Sequence, residues 1–397
     1  MNRLTTLGAC AAALTLGILN AHAVPQDQPK GPQLETVARF YGPMPTGVTV
    51  SQTGRIFVNF PRWGDNVPFT VAEIVDGKAV AYPCKEINSF GANGTRAELS
   101  QEKSDRARSE RLNHLVGVQS VVLDAKDRLW ILDTGSIEFK PTAEGGPKLV
   151  GVDLKTNKVF KTIEFPAGIA RPKSYLNDVR FDLRYGREGT AYITDSGSPG
   201  IITVDLASGA ATRHLDKHYS TQVVPKFLPY IEGDAMYSTK PSQFPGFVQF
   251  ASDGIALSAD GSRLFYCPLA SRHLYSVPTA LLRNGKASEQ VIENAVVDHG
   301  EKGMSDGLES DAQGRIYVTL PEHDAIARRL PNSLYQTVVH DPRILWPDTM
   351  SLANDGYLYF TSNQLHRQKN YNYGKDLRVK PYSLFRVKVD GTPVSLK

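Results

Sequence analysis

One position of a repeated phrase carries three carboxylates and two amides. Thr46, Gln119, Asn177, Asp253, Asp306 and Asp348 each stand just before a short apolar run, and none of the six is apolar. Three aspartates brought together repel one another. Either a cation neutralises them, or one or more holds a proton at a raised pKa. Oxygen donors of this kind suit a hard cation such as calcium, with Asn177, Asp253 and Asp306 as its ligands. They equally suit capture of an amine, or a proton relay. The plain alternative is that each side chain only caps the entry to its strand. Six polar residues in six copies favour a shared site over six separate caps.

The elements that must position these residues are visible in the phrase itself. It begins near residues 47, 120, 254, 307 and 349, with a looser copy at Asp178. Each copy reads as an apolar strand, a polar Asp/Gly turn and a second β-branched or aromatic strand, the pattern of a hairpin. A hairpin recurring at blade-sized intervals is the signature of a β-propeller, so six copies predict an all-β fold of six blades. Inner strands line the central channel of such a ring, which places the six residues around one mouth.

Two intervals exceed a minimal blade. Ser89 to Gly117 holds a candidate surface helix over Ala97–Asn113, whose mixed charges predict a solvated face. His214 to Phe250 is rich in aromatic residues, namely Tyr219, Phe227, Tyr230, Tyr237, Phe244, Phe247 and Phe250, which favours an ordered loop able to cover a planar ligand. Asp133-Thr134-Gly135 and Asp195-Ser196-Gly197 have the form of aspartic-protease triplets, whose chemistry needs two Asp sharing a proton. Both end the second strand of their copy, so a duplicated turn accounts for them without catalysis. His214 and His218 could bind metal only if helical, and the surrounding Pro and aromatic residues predict a loop. No nucleophile elbow, Walker loop or His-Glu-x-x-His motif occurs.

The N-terminus reads as a secretory leader. Arg3 precedes the uncharged run Leu7–Leu19, and Ala21-His22-Ala23 offers a cleavage site. The expected organisation is a leader over 1–23 and one six-bladed propeller over 24–397, secreted or periplasmic. Most of the apolar run follows Cys10, which argues against a lipoprotein anchor. Nothing later approaches the ~20 apolar residues of a membrane span. Net charge is +4, with 22% charged residues mixed in sign, which excludes the basic stripe of a nucleic-acid binder. Cys84 and Cys267 fall on opposite blades, too far apart for a disulfide, and are expected as two buried free thiols. Asn93-Gly94-Thr95 is a glycosylation sequon.

Several phrases carry a family resemblance. Among them are Pro45-Thr46-Gly47-Val48, Phe60-Pro61-Arg62-Trp63, Arg128-Leu129-Trp130-Ile131-Leu132-Asp133-Thr134-Gly135, Tyr192-Ile193-Thr194-Asp195-Ser196-Gly197, Trp346-Pro347-Asp348-Thr349 and Thr361-Ser362-Asn363-Gln364-Leu365-His366. Together they resemble the yellow / major royal jelly protein family over nearly the whole chain after the leader. The resemblance implies a secreted six-bladed propeller with a ligand pocket at the channel mouth. Family members include dopachrome-converting enzymes, binders of biogenic amines, and nutritional or structural proteins. For this chain that implies a small aromatic or amine-bearing ligand and, as one activity, a dopachrome-type tautomerase (an isomerase); a monomer is expected, with no nucleic-acid or membrane partner. Asp253, Asp306 or Asp348 would be the base, with Thr46, Gln119 and Asn177 around the ligand. A more distant resemblance is to calcium-dependent lactonase propellers of the gluconolactonase and regucalcin type. Asn177 and Asp306 match two of their ligands, Asp253 replaces an Asn, and Thr46 stands where a Glu belongs. No cofactor is fixed, and calcium is the one candidate. The alternatives are therefore a calcium-dependent lactonase, or a propeller that binds ligand or protein without chemistry.

Overall fold

Each copy of the phrase becomes the two inner strands of a four-stranded antiparallel sheet. The computed structural model describes residues 28–91, 96–239 and 245–397. The proposed leader, the sequon and Phe244 lie outside them. Six sheets are arranged as the blades of a propeller. Their inner strands are Val48–Val50, Val118–Leu123, Leu176–Asp182, Ser252–Leu257, Leu308–Ser310 and Pro347–Leu352, which define blades 1 to 6. The fourth strand of blade 6 is Glu35–Phe40, paired with Tyr382–Lys388, so the start of the chain closes the ring. Blades cover one another's faces, and the middle strands are accordingly buried on both sides, as in Leu129–Thr134. The outermost strand Lys158–Glu164 is mostly exposed.

The Asp-Thr-Gly and Asp-Ser-Gly triplets are structural turns. The Asp133 carboxylate accepts from the backbone N–H groups of Val116, Gly117 and Gly135 and pairs with Lys148 Nζ at 2.8 Å. Asp195 accepts from Tyr175, Gly197 and Ser198 and pairs with Arg213 at 2.9 Å. In both blades the carboxylate ties down the loop that leads into the inner strand.

The first insertion forms two short helices, Arg96–Leu99 and Asp105–Asn113, with Ser104 Oγ capping the second. The solvated face predicted there is corrected at Arg111. Its side chain is buried, and its guanidinium donates to the carbonyls of Leu99, Glu102 and Glu144. The second insertion carries a small hairpin, Tyr230–Ile231 with Asp234–Ala235. Its Phe227, Ile231, Met236 and Val248 share one apolar cluster with Met44, Phe60, Trp346 and Tyr382. The Glu232 carboxylate is clamped by His366 Nε2 at 2.6 Å and by Arg367, which anchors the insertion to the loop after blade 6's second strand. The loop expected at His214 and His218 is corrected at His214, which ends the outermost strand of blade 3, Ala211–His214, and contacts Glu289, while His218 caps a short 3-10 turn and contacts Ser220.

Cys84 and Cys267 are both free thiols, but only Cys267 is buried. Cys84 is exposed because it lies in the loop beyond the outermost strand of blade 1, Lys78–Ala81. At the lower mouth the last residues cross towards blades 3 and 4, where Leu396 O accepts from Leu183 N and its side chain is buried. No helix among the described residues is long and apolar enough to cross a membrane.

Candidate functional site

The column of polar residues turns into the channel by a shared backbone device. In blades 2, 3, 4 and 6 the register between inner and second strand shifts at the column residue, between Val118 and Ser120, Leu176 and Val179, Ser252 and Ile255, and Pro347 and Met350. A bulge of this kind re-aims a side chain. It directs Gln119, Asn177, Asp253 and Asp348 to one cavity, where Asp306 joins them. Neighbouring blades approach closely here. A Cβ on Gly254 would meet Asp306 O at 2.7 Å, and one on Gly307 would meet Asp348 O at 2.3 Å. Only glycine lets the three aspartates stand this near one another.

Thr46 shares the register but not the cavity. Its hydroxyl donates to Gln119 O at 3.2 Å and accepts from Asn59 Nδ2 at 2.8 Å, and it is fully buried behind the ring. A binding role by direct contact is therefore not available to it.

The floor holds Asp253, Asp306 and Asp348, all buried. Burial, then the charges of Asp306 and Asp348, push the Asp253 carboxyl well above its usual range, and Asp306 lies within hydrogen-bonding reach. Burial raises Asp306 to about 6 against the opposing donation of Trp346 Nε1 at 2.6 Å. Asp348 is raised by burial and by Asp306, although Thr349 Oγ1 and Asn363 Nδ2 donate to it. Carboxyls so placed disfavour full ionisation of the group, each raising the proton affinity of the next. Asn177 Nδ2 donates to Ser196 Oγ at 3.3 Å, and Gln119 Oε1 accepts from Tyr175 OH at 3.0 Å.

The walls are aromatic. Trp63, Phe139, Tyr175 and Phe250 surround the floor. Phe139 stacks on Trp63 at 5.2 Å and leans on Tyr175 at 4.8 Å. Phe139 has φ 58°, a strained conformation for a bulky residue. The enclosed space at the floor is ≈ 20 Å³, room for about one water. Above it opens a cavity of ≈ 610 Å³ lined by Phe139, Tyr175, Phe247, Phe250 and Tyr371, among others. That volume suits a small-molecule site. Phe247 and Phe250 come from the aromatic insertion, but its other aromatics serve differently. Phe227 is buried beneath Arg272, Tyr219 and Tyr230 are exposed, and Tyr237 packs on Phe247. Trp63, Phe139, Tyr175 and Tyr371 come from loops of four separate stretches, with no spacing to mark them beforehand.

Among the described residues, no group of three or more His, Cys, Asp or Glu side chains is arranged to hold a metal ion. Asn177, Asp253 and Asp306 are hard-oxygen donors in one cavity, yet the first blade contributes no acid, and Asp306 and Asp348 are already engaged by protein donors. Those three oxygen donors, Asn177, Asp253 and Asp306, are the ones the floor would offer to a calcium ion.

Comparison with known proteins follows the same outline. The profile of the family described as Major royal jelly protein matches residues 116–389. Protein yellow of Drosophila pseudoobscura pseudoobscura is 26% identical over 242 residues, 58% of this chain but 39% of that protein. The chain thus matches about two fifths of the yellow proteins' length. The yellow-related salivary protein LJM17 of Lutzomyia longipalpis is 24% identical over 369 residues, 88% of this chain and 78% of the other. Among solved structures, a calcium-binding regucalcin from Agrobacterium tumefaciens superposes with a TM-score of 0.51 at 15% identity, covering 91% of this chain and 97% of the other. A putative gluconolactonase gives 0.52 at 11% identity, covering 91% and 94%. Identities this low speak for the fold alone.

Proposed function

The chain belongs to the major royal jelly protein family, and from that premise we propose that it binds a small aromatic molecule bearing an amine or catechol at the upper channel mouth. The observation that carries the reading is the placement of three buried carboxylates at the base of an aromatic-walled cavity. A cationic or hydroxyl-bearing head would reach Asp253, Asp306 and Asp348, oriented by Asn177 and Gln119. The ring system would lie against Phe139, Tyr175 and Phe250. Stacking worth about 0.5–1.5 kcal/mol per ring pair supports micromolar affinity, on the order of −8 kcal/mol.

The same floor supports a dopachrome-type tautomerisation. That reaction removes a proton from carbon and returns one at another atom of the same molecule. A carboxylate of the floor takes the first proton, and a neighbouring protonated carboxyl delivers the second. No net proton or electron is consumed. The leader-like N-terminus and a salivary relative support export to the periplasm or medium, with the propeller acting as a monomer.

Calorimetry with dopamine, serotonin and dopachrome on wild type and Asp306→Asn tests the reading, with isomer conversion followed by absorbance. Binding below millimolar that Asp306→Asn abolishes is expected. Absence of binding, or indifference to the substitution, overturns it. The competing calcium-dependent lactonase draws on the oxygen donors Asn177, Asp253 and Asp306. It predicts tight calcium uptake and hydrolysis of sugar lactones in the same assays.

A further inference from the structure

Blades 1, 2, 4 and 5 each place an arginine at the start of the second strand. In three of them a carboxylate of the same blade meets it. Glu73 meets Arg55 at 2.7 Å, Asp124 meets Arg128 at 2.6 Å, and Asp311 meets Arg315 at 2.5 Å. Blade 4 breaks the pattern at Arg263. Ser258 Oγ accepts from the Arg263 backbone N–H at 3.0 Å, as Asp124 and Asp311 do for their arginines, but it brings no charge. Glu73 lies across the ladder from Phe57, and the equivalent position across from Phe265 is Ser276. Both places that hold an acid in other blades hold serine here. What faces Arg263 instead is a second arginine, across one imidazole. Arg263 Nε donates to Ser276 Oγ at 2.8 Å, Ser276 Oγ meets His299 Nε2 at 2.7 Å, and Arg329 of blade 5 donates to His299 Nδ1 at 3.4 Å. Asp298, beside His299, is held by His273 at 2.9 Å. Among the described residues the two guanidiniums bond only to Ser276, His299 and Ser333.

We propose that a small tetrahedral oxyanion, phosphate or sulfate, binds between blades 4 and 5, held by Arg263 and Arg329, and supplies the counter-charge that blade 4 omits. The hydrogen bonds already made leave donors for it. An arginine N–H only donates, so His299 Nδ1 accepts and the imidazole proton sits on Nε2. Ser276 Oγ then accepts from both Arg263 and His299, and its own hydrogen is left to donate. Arg329 Nε is buried and has no hydrogen-bond partner among the described residues. A buried donor left unpaired is costly, and an acceptor is what it lacks. Guanidinium forks suit oxyanions, to which they make two parallel N–H bonds. Donors on three strands ask for three oxygens, one more than a carboxylate carries. Phe265 packs on the His299 ring at 5.3 Å and fixes its place. Burial and then the charges of Arg329 and Arg263 hold His299 down at about 4, so near neutral pH it carries no charge of its own. None of these residues lines the aromatic cavity, and the proposal stands apart from whatever binds at the floor.

Full-chain protein labelled with ¹⁵N at histidine tests it by NMR near neutral pH. Sodium sulfate, sodium phosphate and sodium chloride are titrated over the same range of ionic strength, and the His299 ring signals, assigned through His299→Gln, are followed. Sulfate and phosphate should each shift those signals saturably, with half-saturation on the order of 1 mM, and chloride should not. Arg329→Gln should weaken the response roughly tenfold. Ser276→Glu gives blade 4 the acid that blade 1 carries at the equivalent position. It should melt above wild type in chloride and no longer respond to sulfate. A shift that rises without saturating, that chloride reproduces, or that survives unchanged in Arg329→Gln overturns the proposal, because the general action of sulfate on proteins is non-saturating and common to every variant. A folded Ser276→Glu that binds sulfate as wild type does overturns it too. Should Ser276→Glu not fold, Arg263→Gln takes its place, with the same loss of response expected and an undiminished response overturning the site.

Discussion

Asp306 titrates at about 6 rather than its ordinary 3.8 because burial outweighs the indole N–H that favours its ionised form. A raised acid binds its proton more tightly folded than unfolded. Its contribution to stability is therefore fully present below 3.8 and is lost as pH rises through about 6. Asp306→Asn removes that dependence. The variant should melt above wild type at pH 8 and lose this advantage at pH 4, as read by calorimetric scans. Parallel melting curves at both pH values would contradict the assignment. Ligand binding should run the other way, with a cation held more tightly as pH rises through the same range; a wild-type affinity indifferent to pH would contradict it. The column was legible because repeat register is written in contiguous sequence. Thr46 shows the limit of that reading. It keeps the register, yet Asn59, thirteen positions on, takes its hydroxyl out of the cavity.

Between residue and ring, the turns and bulges decide geometry. The duplicated Asp turns were readable as turns because both triplets end equivalent strands. Their partners Lys148 and Arg213 were not, since Lys148 lies one strand away and Arg213 two. Asp133→Ala would leave Lys148 buried without its counter-charge and release the loop that leads to Gln119. A loss of about 3–5 kcal/mol in denaturant unfolding is expected. The four bulges were invisible too, because a bulge changes pairing and not composition. The aromatic insertion has its own anchor. Hydrogen bonds from His366 and then Arg367 hold the Glu232 carboxyl down at about 2, so this clamp stays charged at any physiological pH. Glu232→Gln should quicken amide exchange over 227–239 roughly tenfold while leaving blade 2 unaffected. Uniform exchange across both would show that the clamp is not local.

Across the whole molecule, six hairpins of similar phrase make a ring, and the ring makes the site by convergence. That architecture was the most legible property of the chain, whereas the cavity walls were the least. Trp63, Phe139, Tyr175 and Tyr371 belong to separate loops and meet only after closure. The thiols report on closure directly. Cys84 should react with a thiol reagent in the native protein, and Cys267 only as the protein unfolds; equal native reactivity would contradict the packing of blade 4. Closure itself depends on Glu35–Phe40 finding Tyr382–Lys388 across the full length of the chain. The strand that leaves the ribosome early waits for one made much later, and until they meet blades 1 and 6 have no fixed relation. Asp348 belongs to the last blade and Trp63 to the first, so the cavity comes into being at the moment of closure and not before. Any chain interrupted before Tyr382 lacks the seam, and with it the carboxylate floor as one object. Ligand binding of the proposed kind would in that sense certify that the seam has closed.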